Sequence, residues 1–414
     1  MIQIAILGYG VVGSGVAEVL KQNQAQIHKK VGNGIEVKHV LDRRDFLGDP
    51  VEKLLTKDYA VIENDPDVKI VVEAMGGVEV AYDYTKRALL KGKCVCTSNK
   101  ALIAKHGAEL LAIAKEKDIN ILFEASVGGG IPLIRPFNHA LITDQIIAIA
   151  GILNGTSNYI LTQMSTKGTE YDVALASAQK LGYAEQDPTA DVGSYDACRK
   201  LAILLSLGLG KQVDFEDILT EGISEIDAAD FAFAHGFGFT LKPMVEARIG
   251  PDGVEALASP LLVSVTHPLS TVSDVFNGVM VKGKTTDYCM FYGQGAGKLP
   301  TASAMVSDIV DAAKHLTRHI PHAWSDEKTG ILPPSGYVKR KVIRVSSSDP
   351  ATVIEQLPFV TKEAQVLELP GYPNQLAWLT LPETEQETEA ALEKIRSMMG
   401  VDRLERVLRV YDPV

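Results

Sequence analysis

The sequence predicts a multidomain α/β protein: a doubly wound domain with a parallel sheet, then an α+β domain, then a small βαββαβ tail. Three observations carry this. The chain has 414 residues, too many for one ordinary domain. Over its first third, apolar strand-like runs alternate with segments of helical length, the mark of βαβ units. A glycine-rich turn, Gly8-Tyr9-Gly10-Val11-Val12-Gly13, follows the first strand and opens the first helix.

The elements follow in order. Ile2 to Leu7 reads as a strand, Val12 to about Gln26 as a helix, and Ile35 to Leu41 and Ile70 to Glu73 as further strands. A helix at Val80 to Lys91, a strand at Lys93 to Thr97, a helix at Lys100 to Lys117 and a strand at Ile119 to Phe123 complete the doubly wound part. The middle, from about Ile134 to Gly297, mixes helices (Tyr171 to Lys180, Tyr195 to Leu207) with strands at Ile146 to Leu153, Leu261 to Thr266 and Asp287 to Tyr292. Thr301 to His319 is a helical return. Gly330 to Gly336, with Pro333 and Pro334, is the clearest linker, and a separate tail is expected beyond it. From Val342 to Val410 the order strand, helix, strand, strand, helix, strand is ferredoxin-like.

Composition narrows the function classes. Hydrophobic residues at 46% and charged residues at 22% are ordinary globular usage, which argues against disorder and fibrous repeats. A formal net charge of −11 repels phosphate backbones and anionic membranes, so neither nucleic acid nor membrane is an expected partner. No apolar run approaches a bilayer span, and the start MIQIAILGYG reads as a strand rather than a secretory signal, which points to the cytoplasm. Cys94, Cys96, Cys198 and Cys289 are too scattered for a disulfide framework and read as reduced thiols.

In the glycine loop, the first glycine permits the tight turn, the second lets backbone approach a pyrophosphate and the third lets helix and strand pack closely. With the helix N-terminus facing the phosphates, this is a Rossmann-type dinucleotide site formed around Gly8, Gly10 and Gly13. At the end of the second strand, Asp42 suits a free ribose 2′-hydroxyl, whereas Arg43 and Arg44 suit a 2′-phosphate. The balance leans to NADP with NAD open. The loops Glu73-Ala74-Met75-Gly76-Gly77 and Thr97-Ser98-Asn99-Lys100 fall at strand ends on the same edge. Lys100 opens a helix where the dipole disfavours a cation, so an anionic or carbonyl partner competes with a plain surface role.

A second constellation is GYAEQDPTADVGSYDACRK, with Glu185, Asp187, Asp191, Asp196 and Lys200. Asp196 and Lys200 stand at i and i+4, on one helix face, and the chain after Lys200 turns apolar. A lysine at a core edge near a helix N-terminus can donate a proton near neutral pH, and clustered carboxylates suit an amino-acid ammonium. The competing reading is a surface salt bridge of little energy. The loop Glu124-Ala125-Ser126-Val127-Gly128-Gly129-Gly130-Ile131-Pro132 either turns carbonyls inward for a hard cation or merely permits close packing.

Taken together, GYGVVG (8–13), TSNKALIA (97–104), FEASVGGGIP (123–132), GILNGTSNYIL (151–161), GYAEQDPTADVGSYDACRK (182–200) and YGQGAGKLPTASA (292–304) resemble homoserine dehydrogenase over residues 1 to about 320. The resemblance implies NAD(P)H-dependent interconversion of L-aspartate 4-semialdehyde and L-homoserine, a step toward threonine, isoleucine and methionine. It makes Lys200 the proton donor, assisted by Asp196, and makes Glu185 and Asp196 substrate contacts with Asp191 and Thr156 nearby. Tyr9, Val11, Val12, Met75, Ser98, Lys100, Gly182 and a glycine of Gly295-Ala296-Gly297, taken as Gly297, fall where the family contacts its coenzyme. Glu124, Val127, Gly129 and Ile131 match its structural sodium site.

The implied division is residues 1–133, with a return helix at about 298–330, as the NAD(P)-binding domain. Residues 134–297 form the substrate-binding, catalytic and dimerisation domain, and 338–414 an ACT-like domain. A homodimer or homotetramer is implied. Ser194 replaces a usual glycine, and Gln186 a frequent proline. The tail's first turn, Ser348-Asp349-Pro350-Ala351-Thr352-Val353, lacks the glycine that lets an amino-acid effector approach the backbone. That counts against threonine inhibition and leaves assembly as the tail's task. Two competing readings are an aspartate-semialdehyde-forming dehydrogenase, for which neither Cys198 nor Cys289 looks poised as a nucleophile, and a dinucleotide- and amino-acid-sensing regulator without turnover.

Overall fold

The structure, a computed structural model, describes residues 1–361 and 363–413. They form two compact units: residues 1–146 with 199–215 and 282–329, and residues 147–198 with 216–281 and 330–414.

The first unit is built on strands β1 (Ile2–Leu7), β2 (Ile35–Leu41), β3 (Leu55–Thr56), β4 (Val68–Glu73), β5 (Cys94–Thr97) and β6 (Ile121–Leu122). They lie in the order β3-β2-β1-β4-β5-β6 and every pairing is parallel. Ile4, Ala5, Ile6 and Leu7 of β1 and Ile70, Val71 and Val72 of β4 are all fully buried. A parallel sheet covered on both faces needs apolar side chains at successive positions, which is why these strands read as continuous apolar runs. Strand order reverses at β1, so a crevice opens beyond the carboxyl ends of β1 and β4.

Two helices depart from the sequence expectation. The single helix expected from Val12 to about Gln26 is two, Val11–Gln22 and Gln24–Val31, broken at Asn23, whose φ of −104° and ψ of 13° leave the helical basin. The return helix runs Lys298–Lys314. It begins three residues earlier than expected and packs against Gly15, where a Cβ would stand 3.0 Å from Lys298 and Ala302.

The second unit contains strands β7 (Ile146–Ile152), β8 (Phe239–Gly250), β9 (Gly253–Ser264), β10 (Phe276–Gly283), β11 (Lys341–Ser347), β12 (Glu363–Glu368), β13 (Gln375–Thr380) and β14 (Val401–Val410). Their order is β10-β7-β8-β9-β14-β11-β13-β12. β8 and β9 form a long hairpin closed at Gly250 and Gly253 around Pro251-Asp252. Only the second half of this hairpin, as Leu261 to Thr266, was expected from the sequence; the strand runs Gly253–Ser264 and its partner Phe239–Gly250 was missed.

The tail has the expected order, with helices Pro350–Gln356 and Glu385–Ile395 between its strands. It is not a separate module, however. β14 pairs in parallel with β9 through Leu261 with Arg409 and Leu262 with Val410, making one sheet of the tail and the middle of the chain. One core follows: Ile160, Phe233, Leu241 and Leu262 pack in the same cluster as Val342, Leu379 and Val410. Charged pairs, in which Arg344, Asp230, Lys339 and Glu246 are buried, seal the join. Arg344 binds Asp227 at 2.6 Å and Asp230 at 3.0 Å, and Lys339 binds Glu246 at 2.6 Å. Such pairs span more than ninety residues of chain, so periodicity could not reveal them.

Candidate active site

Apart from Gly182, the residues expected on the coenzyme side lie in the first unit. Gly8 takes a φ of +89°, and a Cβ on it would stand 2.8 Å from the Ala74 carbonyl, so only glycine lets the β1 turn pass beside the β4 turn. A Cβ on Gly13 would lie 1.9 Å from the Gly8 carbonyl oxygen, which fixes how closely helix Val11–Gln22 seats on the loop. Gly10 is different: nothing lies within 4 Å of its would-be Cβ, and as N-cap it brings no side chain to the helix start. Open space over a helix N-terminus is what a pyrophosphate needs, so the loop fits a dinucleotide. Val11 is exposed beside it.

The charged end of β2 is already paired. Asp42 accepts from the Tyr9 N–H at 2.8 Å, the Arg44 N–H at 2.9 Å and the Arg44 guanidinium at 3.1 and 2.8 Å. The Arg44 side chain holds the Asp42 carboxyl well below the usual carboxylate range. Arg44 also stacks over Phe46 at 5.1 Å, and Phe46 meets Tyr9 edge-on. Arg43 is exposed. The Asp42–Arg44 pair and the Tyr9 link were not visible in sequence, because a run of D-R-R does not say which charge turns inward.

Beyond β4 and β5, Met75, Ser98 and Lys100 are half-buried. Asn99 caps the helix Lys100–Glu116, its side chain accepting from the Leu102 N–H at 3.1 Å. Lys100 is thereby the first helical residue, as expected. Gly297 has a φ of +119° and precedes the return helix.

Apart from exposed Gly130 and Pro132, the glycine loop after β6 is buried. Gly128 and Gly129 have φ of +76° and +55°, and the Gly130 N–H donates to the Gln294 carbonyl at 3.2 Å. The Glu124 carboxylate accepts the backbone N–H groups of Leu133, Ile134 and Arg135 at 2.6, 2.9 and 2.9 Å. Arg135 in turn pairs with buried Asp308, whose carboxyl burial pushes up to about 8. The Glu124 carboxylate is thereby engaged by three successive backbone N–H groups.

The acidic residues lie in the second unit. Asn154 ends the stretch after β7 and caps helix Gly155–Lys167, its side-chain oxygen accepting from the Ser157 N–H at 2.8 Å. Its amide nitrogen donates to Asp191 at 2.7 Å and to Asp196 at 3.0 Å, bringing those two carboxylates together. The sequence reading missed Asn154, although an Asn just before G-T-S at a helix start is a capping signal. Thr156 donates to the Tyr183 carbonyl at 2.7 Å. Glu185 and Gly182 are exposed on the turn after helix Tyr171–Lys180, with Gly182 at φ +76°. Ser194, buried, adopts a φ of +63° immediately before helix Tyr195–Leu209. That left-handed backbone explains why glycine is the usual occupant there. Asp196 and Lys200, both on this helix, are buried at 2% and 8% exposure. Burial sets Lys200 apart from the solvated salt bridge that was its competing reading.

The chain is similar to known proteins over most of its length. The chain matches the family model described as homoserine dehydrogenase, NAD binding domain, over residues 8–124, and that described as homoserine dehydrogenase over residues 132–310. It is 39% identical over 381 residues to the homoserine dehydrogenase of Bacillus subtilis, covering 89% of this chain and 88% of that one. Among solved structures it is similar to a homoserine dehydrogenase from Thiobacillus denitrificans, with a TM-score of 0.92, 34% identity and coverage of 99% and 98% of the two chains. It also resembles a hyperthermophilic archaeal homoserine dehydrogenase in complex with NADPH, with a TM-score of 0.63, 26% identity and coverage of 75% and 97%.

Proposed function

This chain belongs to the homoserine dehydrogenase family, and from that premise we propose which of its residues carry the NAD(P)-dependent interconversion of L-aspartate 4-semialdehyde and L-homoserine. The observation that carries the assignment is the pairing of half-buried Asp191 with buried Asp196 through buried Asn154. Two carboxylates fixed by one amide are assigned, together with the exposed Glu185, as the receptor for the substrate ammonium, with Thr156 fixing the turn that carries Tyr183.

A bound nicotinamide supplies the hydride that reduces the aldehyde carbon. As that carbon gains hydride, negative charge collects on its oxygen, and a buried ammonium stabilises it far more than a solvated one would. Lys200 takes this role and gives up the proton that completes the alcohol. Asp196, one helical turn before it, holds substrate. Gly8, Tyr9, Gly10, Val11, Val12 and Gly13 hold the pyrophosphate side. Met75, Ser98, Lys100, Gly182 and Gly297 hold the remainder of the coenzyme.

NADP is the favoured coenzyme. Asp42 spends its acceptors on Tyr9 and Arg44 and has little capacity left for a free 2′-hydroxyl, while Arg43 remains exposed to meet a 2′-phosphate. NAD stays open as a second coenzyme.

A structural sodium ion suits the main-chain oxygens of Glu124, Val127, Gly129 and Ile131, supported by the left-handed turn at Gly128-Gly129. The ACT-like tail serves homodimer or homotetramer assembly rather than effector binding. Its first turn is closed by Asp349, which accepts from Thr352 Oγ1 at 2.6 Å where an amino acid would need open backbone. Among the described residues no helix is long and apolar enough to cross a membrane. Cytoplasmic placement belongs to this proposal, in keeping with four free cysteines.

Absorbance at the NADPH band on adding aspartate semialdehyde tests the assignment. Rapid oxidation is expected, with Lys200→Ala retaining NADPH binding but losing on the order of 100-fold or more in kcat. No oxidation with either NADPH or NADH would hand the chain to the sensor reading, and a fully active Lys200→Ala would remove Lys200 from the mechanism.

A further inference from the structure

Glu73 is the last residue of β4, at the crevice where strand order reverses, and its side chain is wholly inaccessible to solvent. Its backbone needs no help from the carboxylate, since β4 is paired on one side with β1 and on the other with β5. An apolar residue would be cheaper to bury here, as at Val71 and Val72 just before it. Burial instead pushes this carboxyl up to about 7, against the opposing hydrogen bonds of Thr97, Met75 and Asn99.

The two oxygens each reach one crevice loop. One accepts from the Met75 N–H at 2.7 Å, and the other accepts from the Thr97 hydroxyl at 2.5 Å. The Thr97 oxygen then accepts from the Asn99 N–H at 2.9 Å, and the Asn99 amide donates to the Gly77 carbonyl at 2.7 Å. The result is a closed circuit, Glu73 to Met75 on one loop and Glu73 through Thr97 and Asn99 back to Gly77. It ties residues 74–77 to residues 97–100.

We propose that Glu73 is a positioning residue for the coenzyme: through Met75, Thr97 and Asn99 it holds the two loops that carry Met75, Ser98 and Lys100 in the geometry that receives the nicotinamide half. The proposal rests on the assignment of those loops to the coenzyme. Glu73 touches neither reactant in this arrangement. It lowers the ordering cost of binding by fixing both loops beforehand.

The test compares wild type with Glu73→Ala, Glu73→Gln and Thr97→Val, reading the NADPH dissociation constant by fluorescence titration, the KM for aspartate semialdehyde, kcat and the melting temperature. Losing a buried charge-assisted hydrogen bond predicts about a tenfold weaker NADPH affinity in Glu73→Ala. A semialdehyde KM within twofold of wild type is expected alongside it. Glu73→Gln can still accept from Met75 and donate to Thr97, so it should recover most of the affinity. Thr97→Val, isosteric and retaining the fold, should weaken NADPH binding in the same selective way. A lower melting temperature in Thr97→Val and folded Glu73→Ala, with NADPH affinity unchanged or both substrates weakened equally, would reduce Glu73 to a structural role and overturn the proposal. A wild type that oxidises NADPH but shows no dependence of affinity on either residue refutes the positioning role alone. A wild type that binds no NADPH refutes the coenzyme assignment as well.

Discussion

Gly13→Ala isolates the steric demand of the coenzyme loop. The new methyl would sit 1.9 Å from the Gly8 carbonyl oxygen and 3.2 Å from the Ile6 side chain. Real Cβ atoms essentially never approach closer than 3.0 Å, so that carbonyl must retreat by about 1.1 Å. Gly8 has little freedom to swing away, because its own N–H is bonded to the Leu41 carbonyl at 2.8 Å and its α-carbon passes close beside the Ala74 turn. The displacement therefore passes to the helix start that faces the phosphates. A shift near 1 Å in a positioning element costs on the order of 100-fold. We expect kcat/KM for NADPH to fall by about that factor in steady-state assays, with the semialdehyde KM far less changed. Gly10→Ala is the control, since its Cβ meets nothing within 4 Å in the protein. It should melt with wild type, and any loss it shows reports contact with bound coenzyme. A Gly13→Ala enzyme within threefold of wild type for NADPH would refute the reasoning.

Three further outcomes follow from named contacts. Asn154→Ala removes a helix cap and the amide shared by Asp191 and Asp196, so stability should drop by about 1 kcal/mol in denaturant titration and the semialdehyde KM should rise about tenfold. An unchanged KM would detach these carboxylates from the substrate. Ser194→Gly relieves a left-handed φ of +63° and should raise the unfolding free energy by about 1 kcal/mol, whereas a loss of stability would show that the serine is unstrained. Burial pushes the His322 imidazole down to about 4, from about 6.5 when unfolded. Its folded pKa is depressed, so the stability of its neutral form is present above 6.5 and is lost as pH falls from there through 4. The melting temperature of wild type should fall more steeply across that window than that of His322→Gln, and parallel curves would contradict the assignment.

Local sequence determined much of this protein. The strand, helix and turn order of the doubly wound part was legible because buried parallel strands demand unbroken apolar runs and their loops demand glycine at Gly8 and Gly13. The βαββαβ order of the tail was legible as well, although its strands pair with one another antiparallel. The motifs from Gly8 to Ala304 carried the family. Tertiary structure alone decided the rest. Whether Asp42 would face a ribose or Arg44 depended on where its oxygens point. That Asn154 joins Asp191 to Asp196 across about forty residues, and that Glu73 serves two loops at once, are contacts between side chains distant in the chain. The tail's union with the middle sheet rests on two residue pairs of β9 and β14 and on buried ions such as Arg344 with Asp230. Periodicity records which face of an element is buried, but not what it is buried against, and that is where the pairing of charges and the placing of the site were settled.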